Sequence, residues 1–267
     1  MIKAIIFDLD NTLYWDERAN EEALEAVCGY AADRAADLSP DNLIRAVVSE
    51  AELQFAASDF FEFASSIEVT ALEALWARFD AASTEGDERF EAMRQAAVAY
   101  RFNVWNMALL GLGCHDPKLA ELLVERYLNE RRARAYIYSD TLDTLTWLST
   151  DYRLLLLTNG TPDLQQEKVD SIAGLSSFFE HIVISGDYGV GKPAESIFRH
   201  ALELLGVEPE EAVMVGDNPY TDIIGANRTG IPSVWVNRYG APLPDSIKPT
   251  FIALTLSELP GLLLSGR

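Results

Sequence analysis

The sequence predicts an α/β protein: a Rossmann-like parallel sheet with helices on both faces, interrupted by an inserted α-helical subdomain. Short apolar runs that stop abruptly at polar residues have the pattern of buried parallel strands. In the C-terminal half these runs alternate with helical stretches followed by glycine. A long segment rich in Ala, Glu and Arg, with no strand-like run, separates the first apolar run from the rest.

The first element is IKAIIF at 2–7, which ends in Asp8. Residues 16–135 follow as helices, because EEALEAVCGYAADRAADL and PKLAELLVERYLNERRARA space their apolar residues by three and four. Loop-like stretches at Ser83–Asp87 and Gly111–Pro117 punctuate this segment. Strand pattern resumes at 153–158 (RLLLLT), 181–185 (HIVIS), 212–216 (AVMVG) and 232–236 (PSVWV), giving five strands in all. Helices are expected over 162–174, 193–206 and 219–229, with stops at Gly174, Gly206 and Gly230. The expected organisation is therefore a core of 1–15 and 136–267, with 16–135 inserted after the first strand and hanging over the strand ends where Asp8 sits.

Composition bounds the partners. With 49% apolar and 24% charged residues, the chain has the mix of an ordinary globule. Its N-terminus resembles neither a signal peptide nor a membrane span, so a cytoplasmic address is expected, away from membranes. Cys28 and Cys114 are far apart and form no Cys/His cluster, which argues against a disulfide framework or a zinc site. A formal charge of −21 without a basic run makes nucleic acid a poor partner. Any anion site must supply its own positive charge from a cation, a backbone amide or one of only five lysines: Lys3, Lys118, Lys168, Lys192 and Lys248.

Asp8 and Asp10 are two apart on an extended chain, so their carboxylates share one side and repel unless a cation or a proton intervenes. That suits a nucleophile beside an acid/base; the competing reading is a turn, Asp10-Asn11-Thr12, that caps a helix. Thr158-Asn159-Gly160 ends the next strand and either holds a phosphoryl oxygen or simply turns the chain. Lys192 precedes Pro193, which fits as a first helical residue. A cation there opposes the helix dipole unless an anion is near, although an ordinary surface lysine fits as well. Asp217, before Asn218, adds a hard oxygen at the end of a separate strand, and Asp222 either caps the next helix or bonds to Lys192.

DLDNT at 8–12, TNG at 158–160, Lys192 in GVGKP and GDNPYTD at 216–222 resemble, in order and spacing, the motifs of the haloacid dehalogenase-like (HAD) hydrolases. The resemblance covers the whole chain, and the helical insertion looks like the type 1 cap of subfamily I. It implies a magnesium-dependent phosphatase. Asp8 is then the phosphorylated nucleophile and Asp10 the acid/base. Mg²⁺ lies on Asp8, Asp217 and the carbonyl of Asp10. Lys192, Thr158 and the amides of Asn159 and Gly160 bind the phosphoryl group, while Asp222 and Asn218 support them from behind. Dehalogenases and phosphonatases of the superfamily lack an acid at the position of Asp10, which favours phosphoryl transfer. A phosphomutase, or a non-catalytic binding module, remains compatible with the motifs.

The resemblance gives the cap much of the substrate choice, with Tyr14, Arg101 and Trp105 as candidate contacts. The spacing of Phe102, Trp105 and Leu109 reads equally as cap core, and Arg131, Arg132 and Arg134 read as a solvated face. A closing cap excludes water and favours a small phosphorylated metabolite: a sugar phosphate, a nucleoside monophosphate or a phosphorylated acid. A monomer or homodimer is expected.

Overall fold

All residues of Ala4–Phe7 (β1) are buried, so both faces of this strand are covered and it belongs in the middle of a sheet. The computed structural model describes residues 1–35 and 37–265. In it β1 is joined by Arg153–Thr158 (β2), His181–Ile184 (β3), Ala212–Gly216 (β4), Ser233–Val236 (β5) and Phe251–Ala253 (β6). The order is β3-β2-β1-β4-β5-β6 and every neighbouring pair is parallel. Register pairs Phe7 with both Leu156 and Val215, so β1, β2 and β4 end side by side. The chain builds outward from β1 in one direction and then returns to its other side, so the order reverses between β1 and β4. In open α/β sheets that reversal leaves a crevice at the carboxyl ends of the strands.

The sheet has six strands rather than the five expected. The missing one, β6, is a three-residue edge strand with Ile252 exposed, too short to give a period. One face of the sheet packs Ala4, Ile6, Leu155, Leu157 and Met214 against Phe198, Ala201 and Leu205. The pleat turns Ile5 and Phe7 to the opposite face, where they too are fully buried.

Two compact units are present. The α/β unit comprises Met1–Trp15, Ile137–Gly160 and the described chain from Gln165 onward; the helical unit comprises Asp16–Tyr136 with Thr161–Leu164. The helical unit contains Asp16–Ala32 (α1), Pro40–Ala56 (α2), Phe61–Ser66 (α3), Ala71–Ala74 (α4), Glu88–Gly111 (α5) and Pro117–Arg132 (α6). Its core includes Val27, Val47, Tyr100, Trp105, Leu123 and Tyr127. Asp116 caps α6 by accepting the N–H groups of Lys118 and Leu119, and Pro117 supplies a preset first turn.

The arginine cluster is not a solvated face. Arg131 is buried, its guanidinium paired with Asp16, bonded to Asn20 at 2.7 Å and stacked over Trp76 at 4.3 Å. Arg132 donates to the Trp76 carbonyl at 2.8 Å, and Arg134 pairs with Glu130 at 2.6 Å. A planar, five-donor guanidinium can be satisfied inside a helical unit when carboxylates and carbonyls meet it, which charge alone does not reveal.

In the α/β unit, Thr141–Leu148 (α7) precedes β2 without having been expected. Pro162–Asp170 (α8) stops before Gly174, which instead starts a 3₁₀ turn, Leu175–Phe178. Ser185–Tyr188 (α9) is a single turn, and Glu195–Leu205 (α10) ends at Gly206 in the left-handed conformation, φ 59°. The expected helix over 219–229 is a wide π turn, Pro219–Ile223, continued by Ile224–Thr229 (α11); Leu259–Ser265 (α12) ends the described chain. Among the described residues no helix is long and apolar enough to cross a membrane.

Candidate active site

Parallel strands deliver their carboxyl ends to one edge, so the residue that follows each central strand faces the same crevice. Asp8 follows β1 and Asp217 follows β4. Between the strand and α1 the chain turns sharply: Asn11 adopts a left-handed conformation, φ 59°, which asparagine tolerates, and its N–H donates to the Tyr14 carbonyl at 2.6 Å. This turn brings Thr12 back over the strand end. The Thr12 hydroxyl donates to Asp8 Oδ2 at 2.8 Å and accepts the Asp217 N–H at 3.0 Å, tying the two strand ends together. Trp235, on β5, donates its indole N–H to the Asp217 carbonyl at 2.7 Å.

Lys192 Nζ lies 2.6 Å from Asp8 Oδ1 and 2.7 Å from Asp222 Oδ1, and all three side chains are buried. Burial works against the ammonium, but Asp222 and Asp8 more than offset it, so the Lys192 pKa stands above its ordinary value. The second Asp222 oxygen accepts the Asn218 N–H at 3.1 Å, and Asn218 Oδ1 accepts from the Tyr220 N–H at 2.9 Å. Asp8, Asp217 and Asp222 each offer an oxygen within 4.8 Å of the others. Desolvation, followed by the Asp8 and Asp222 charges, pushes Asp217 well above the ordinary carboxylate range. Burial raises Asp222 to about 6 against the pull of Lys192. One lysine thus leaves the group short of positive charge. Three clustered carboxylate oxygens with that deficit fit a hard divalent cation such as Mg²⁺.

The Asp10 carboxylate is held by Lys168, whose Nζ stands 2.9 Å from both of its oxygens. Thr158 Oγ1 donates to Gln165 Oε1 at 3.1 Å. The Asn159 side chain binds the Lys192 backbone in both directions, accepting the N–H at 2.8 Å and donating to the carbonyl at 3.1 Å. The Gly160 amide, expected to face a phosphoryl oxygen, instead donates to Ser185 Oγ at 2.8 Å. Lys192 does not begin a helix: α10 starts at Glu195, and the ammonium is balanced by two carboxylates rather than by its sequence neighbours. Nor does Asp222 cap a helix start; Asn218 does that.

Tyr14 is buried in the α/β unit, pairing with Asp10 and Ile137. Arg101 and Trp105 belong to the helical unit. Trp105 is enclosed in its core, 5.8 Å from the Tyr127 ring, so the packing alternative describes it. Arg101 donates to the Ala77 carbonyl; burial, then the nearby Arg132 charge, lower its pKa. Sequence reasoning gave no role to Thr12, Gln165, Lys168 or Ser185. Lys168 left a usable signal: it is one of only five lysines and lies three residues after Gln165, on the same side of α8.

The family described as haloacid dehalogenase-like hydrolase matches residues 2–230. The chain belongs to this family. It is therefore an enzyme of the HAD-like hydrolases. It is 39% identical over 259 residues to a phosphoserine phosphatase of Thermus thermophilus, covering 97% of this chain and 98% of that one. It is 31% identical over 243 residues to a glyceraldehyde 3-phosphate phosphatase of Methanopyrus kandleri, covering 89% and 85% of the two chains. A 2-haloacid dehalogenase from Pseudomonas syringae shares the fold over 100% of both chains, with a TM-score of 0.61 and 25% identity. The HAD fold thus hosts both phosphatases and dehalogenases, so the chemistry must be argued from the site.

Proposed function

We propose that this HAD hydrolase is a phosphatase that hydrolyses a small phosphate monoester, with Asp8 as its nucleophile. One observation carries the reading: a buried carboxylate, Asp8, is fixed through one oxygen by Lys192 and through the other by Thr12, with a second carboxylate, Asp10, two residues on. A pinned nucleophile beside an acid/base suits two-step displacement.

In the first step an Asp8 oxygen attacks phosphorus, and the bond to the ester oxygen breaks with its electron pair on that oxygen. Asp10 supplies the proton that lets it leave as an alcohol. In the second step Asp10 takes a proton from water, whose oxygen attacks the aspartyl-phosphate and releases inorganic phosphate and the free Asp8 carboxylate. Lys192 keeps Asp8 oriented and offsets charge as the anionic phosphoryl group arrives. Thr158 stands at the end of β2, where its hydroxyl can exchange Gln165 for a phosphoryl oxygen. Asp8, Asp217 and the Asp10 carbonyl would hold Mg²⁺, which supplies Lewis-acid stabilisation of phosphoryl oxygens. A halide leaves without a proton, so a dehalogenase has no use for the acid at Asp10. The phosphatase names of relatives aligned nearly end to end support the same choice.

The substrate class proposed is a small metabolite ester: a phosphorylated acid, a sugar phosphate or a nucleoside monophosphate. The deciding experiment is phosphate release from a panel of such esters, with and without Mg²⁺, for wild type and Asp8→Asn. Metal-dependent release that disappears in Asp8→Asn is expected. Release that survives Asp8→Asn would remove Asp8 from the reaction.

A further inference from the structure

We propose that Lys168 is the positioning residue for Asp10, holding its carboxylate in the orientation that general acid/base work needs. The inference rests on the reading of Asp10 as the acid/base. The Lys168 side chain is wholly buried, and removing an ammonium from water costs several kcal/mol unless a partner compensates. A methionine or leucine would fill the same place on α8 without that cost, so packing alone does not account for a lysine here. Its ammonium stands 2.9 Å from both Asp10 oxygens. A hydroxyl could hold one oxygen at a time; an ammonium 2.9 Å from both oxygens holds the whole carboxyl group in place.

The helix that carries Lys168 is anchored to the neighbouring strand end. Gln165, on the same side of α8, accepts the Thr158 hydroxyl at 3.1 Å. One side of α8 therefore reaches both the loop that follows β1 and the last residue of β2, coupling the acid/base to the threonine of the second motif.

The test compares two esters in the intact Mg²⁺-loaded enzyme: an alkyl phosphate, whose leaving oxygen needs a proton, and p-nitrophenyl phosphate, whose leaving group does not. General acid/base catalysis typically supplies about 10²- to 10⁴-fold. Lys168→Met should lose roughly 10- to 100-fold of this in kcat on the alkyl ester, with KM within about twofold. First-turnover release of p-nitrophenolate should stay within about twofold of wild type, and Lys168→Arg should recover part of the alkyl-ester rate. In an Asp10→Asn background Lys168→Met should cost less than about twofold more, because coupled residues are not additive. Equal losses on both esters, or a full additional loss on top of Asp10→Asn, would overturn the proposal while leaving Asp10 its role. If Lys168→Met melts below the assay temperature, Lys168→Gln, which keeps a donor but no charge, carries the same comparison. A wild type that releases phosphate from neither ester would instead overturn the phosphatase reading, and this inference with it.

Discussion

Lys192 bridges Asp8 and Asp222, at 2.6 and 2.7 Å, in a site where all three side chains are buried. Deleting the cation leaves two buried carboxylates facing each other, and breaking a buried pair from one side typically costs about 3–5 kcal/mol. Lys192→Met should therefore lower both phosphate release and unfolding free energy, read by a denaturant titration beside the activity assay. Asp222→Asn keeps the shape and an acceptor for the Asn218 N–H, so it should lose activity while costing less stability than Lys192→Met. Equal stability losses in the two variants would show that Asp222 is not held there mainly by charge.

Metal binding should register in stability without turnover. Asp217 is raised well above the ordinary range by desolvation and by the Asp8 and Asp222 charges, so a cation relieves a standing repulsion. A ligand at 100 times its Kd stabilises a folded protein by about 2.7 kcal/mol. Mg²⁺ at that excess should raise the melting temperature of wild type, and EDTA should reverse the rise. In Asp217→Asn the response to Mg²⁺ should vanish, and the metal-free protein should melt no lower than wild type because one repelling charge is gone. A wild-type melting curve indifferent to Mg²⁺ would count against a cation on these carboxylates.

The two cysteines should separate by reactivity. Cys28 is fully buried in α1, and burial pushes its thiol up to about 12, so almost no thiolate exists at neutral pH. Cys114 is half-buried beyond the end of α5. A colorimetric thiol reagent should therefore count one cysteine in the native protein and two in denaturant. Two fast native equivalents would mean that the α1 packing opens readily.

Strand runs and strand-end acids were legible because a buried parallel strand is a continuous apolar run and its end is where polarity returns. This is why Asp8 and Asp217 stood out, while β6 gave too few residues to show a pattern. Contacts made through the third dimension were not legible. Lys168 reaches Asp10 across 158 positions of sequence, and Thr12 reaches the Asp217 amide across 205. The scarcity of lysines marks Lys168 as a residue to explain, but nothing local names Asp10 or Asp217 as the partner of either side chain. The arginines of α6 failed for the same reason: Arg131 finds Asp16 at a separation of 115, so a charge that looks solvated in the sequence is buried in the fold.

Gly216 closes β4 directly before Asp217, and its conformation is ordinary; what it lacks is room. A Cβ built there would overlap the Asp222 carboxylate, which lies at the bottom of the site and is fixed by Lys192 and the Asn218 amide. Overpacking a tight site typically costs about 1–3 kcal/mol. Gly216→Ala should cost that much and should also displace Asp222 from Lys192, so activity falls more than stability predicts. Gly29 is the control. It lies within α1 with nothing within 4 Å of a built Cβ, so Gly29→Ala should stabilise by about 0.5–1 kcal/mol with unchanged turnover. Paired melting and phosphate-release measurements on the two alanine variants check both signs. A Gly216→Ala enzyme with wild-type activity would show that Asp222 can move without consequence, and that Lys192 does not depend on it for its place beside Asp8.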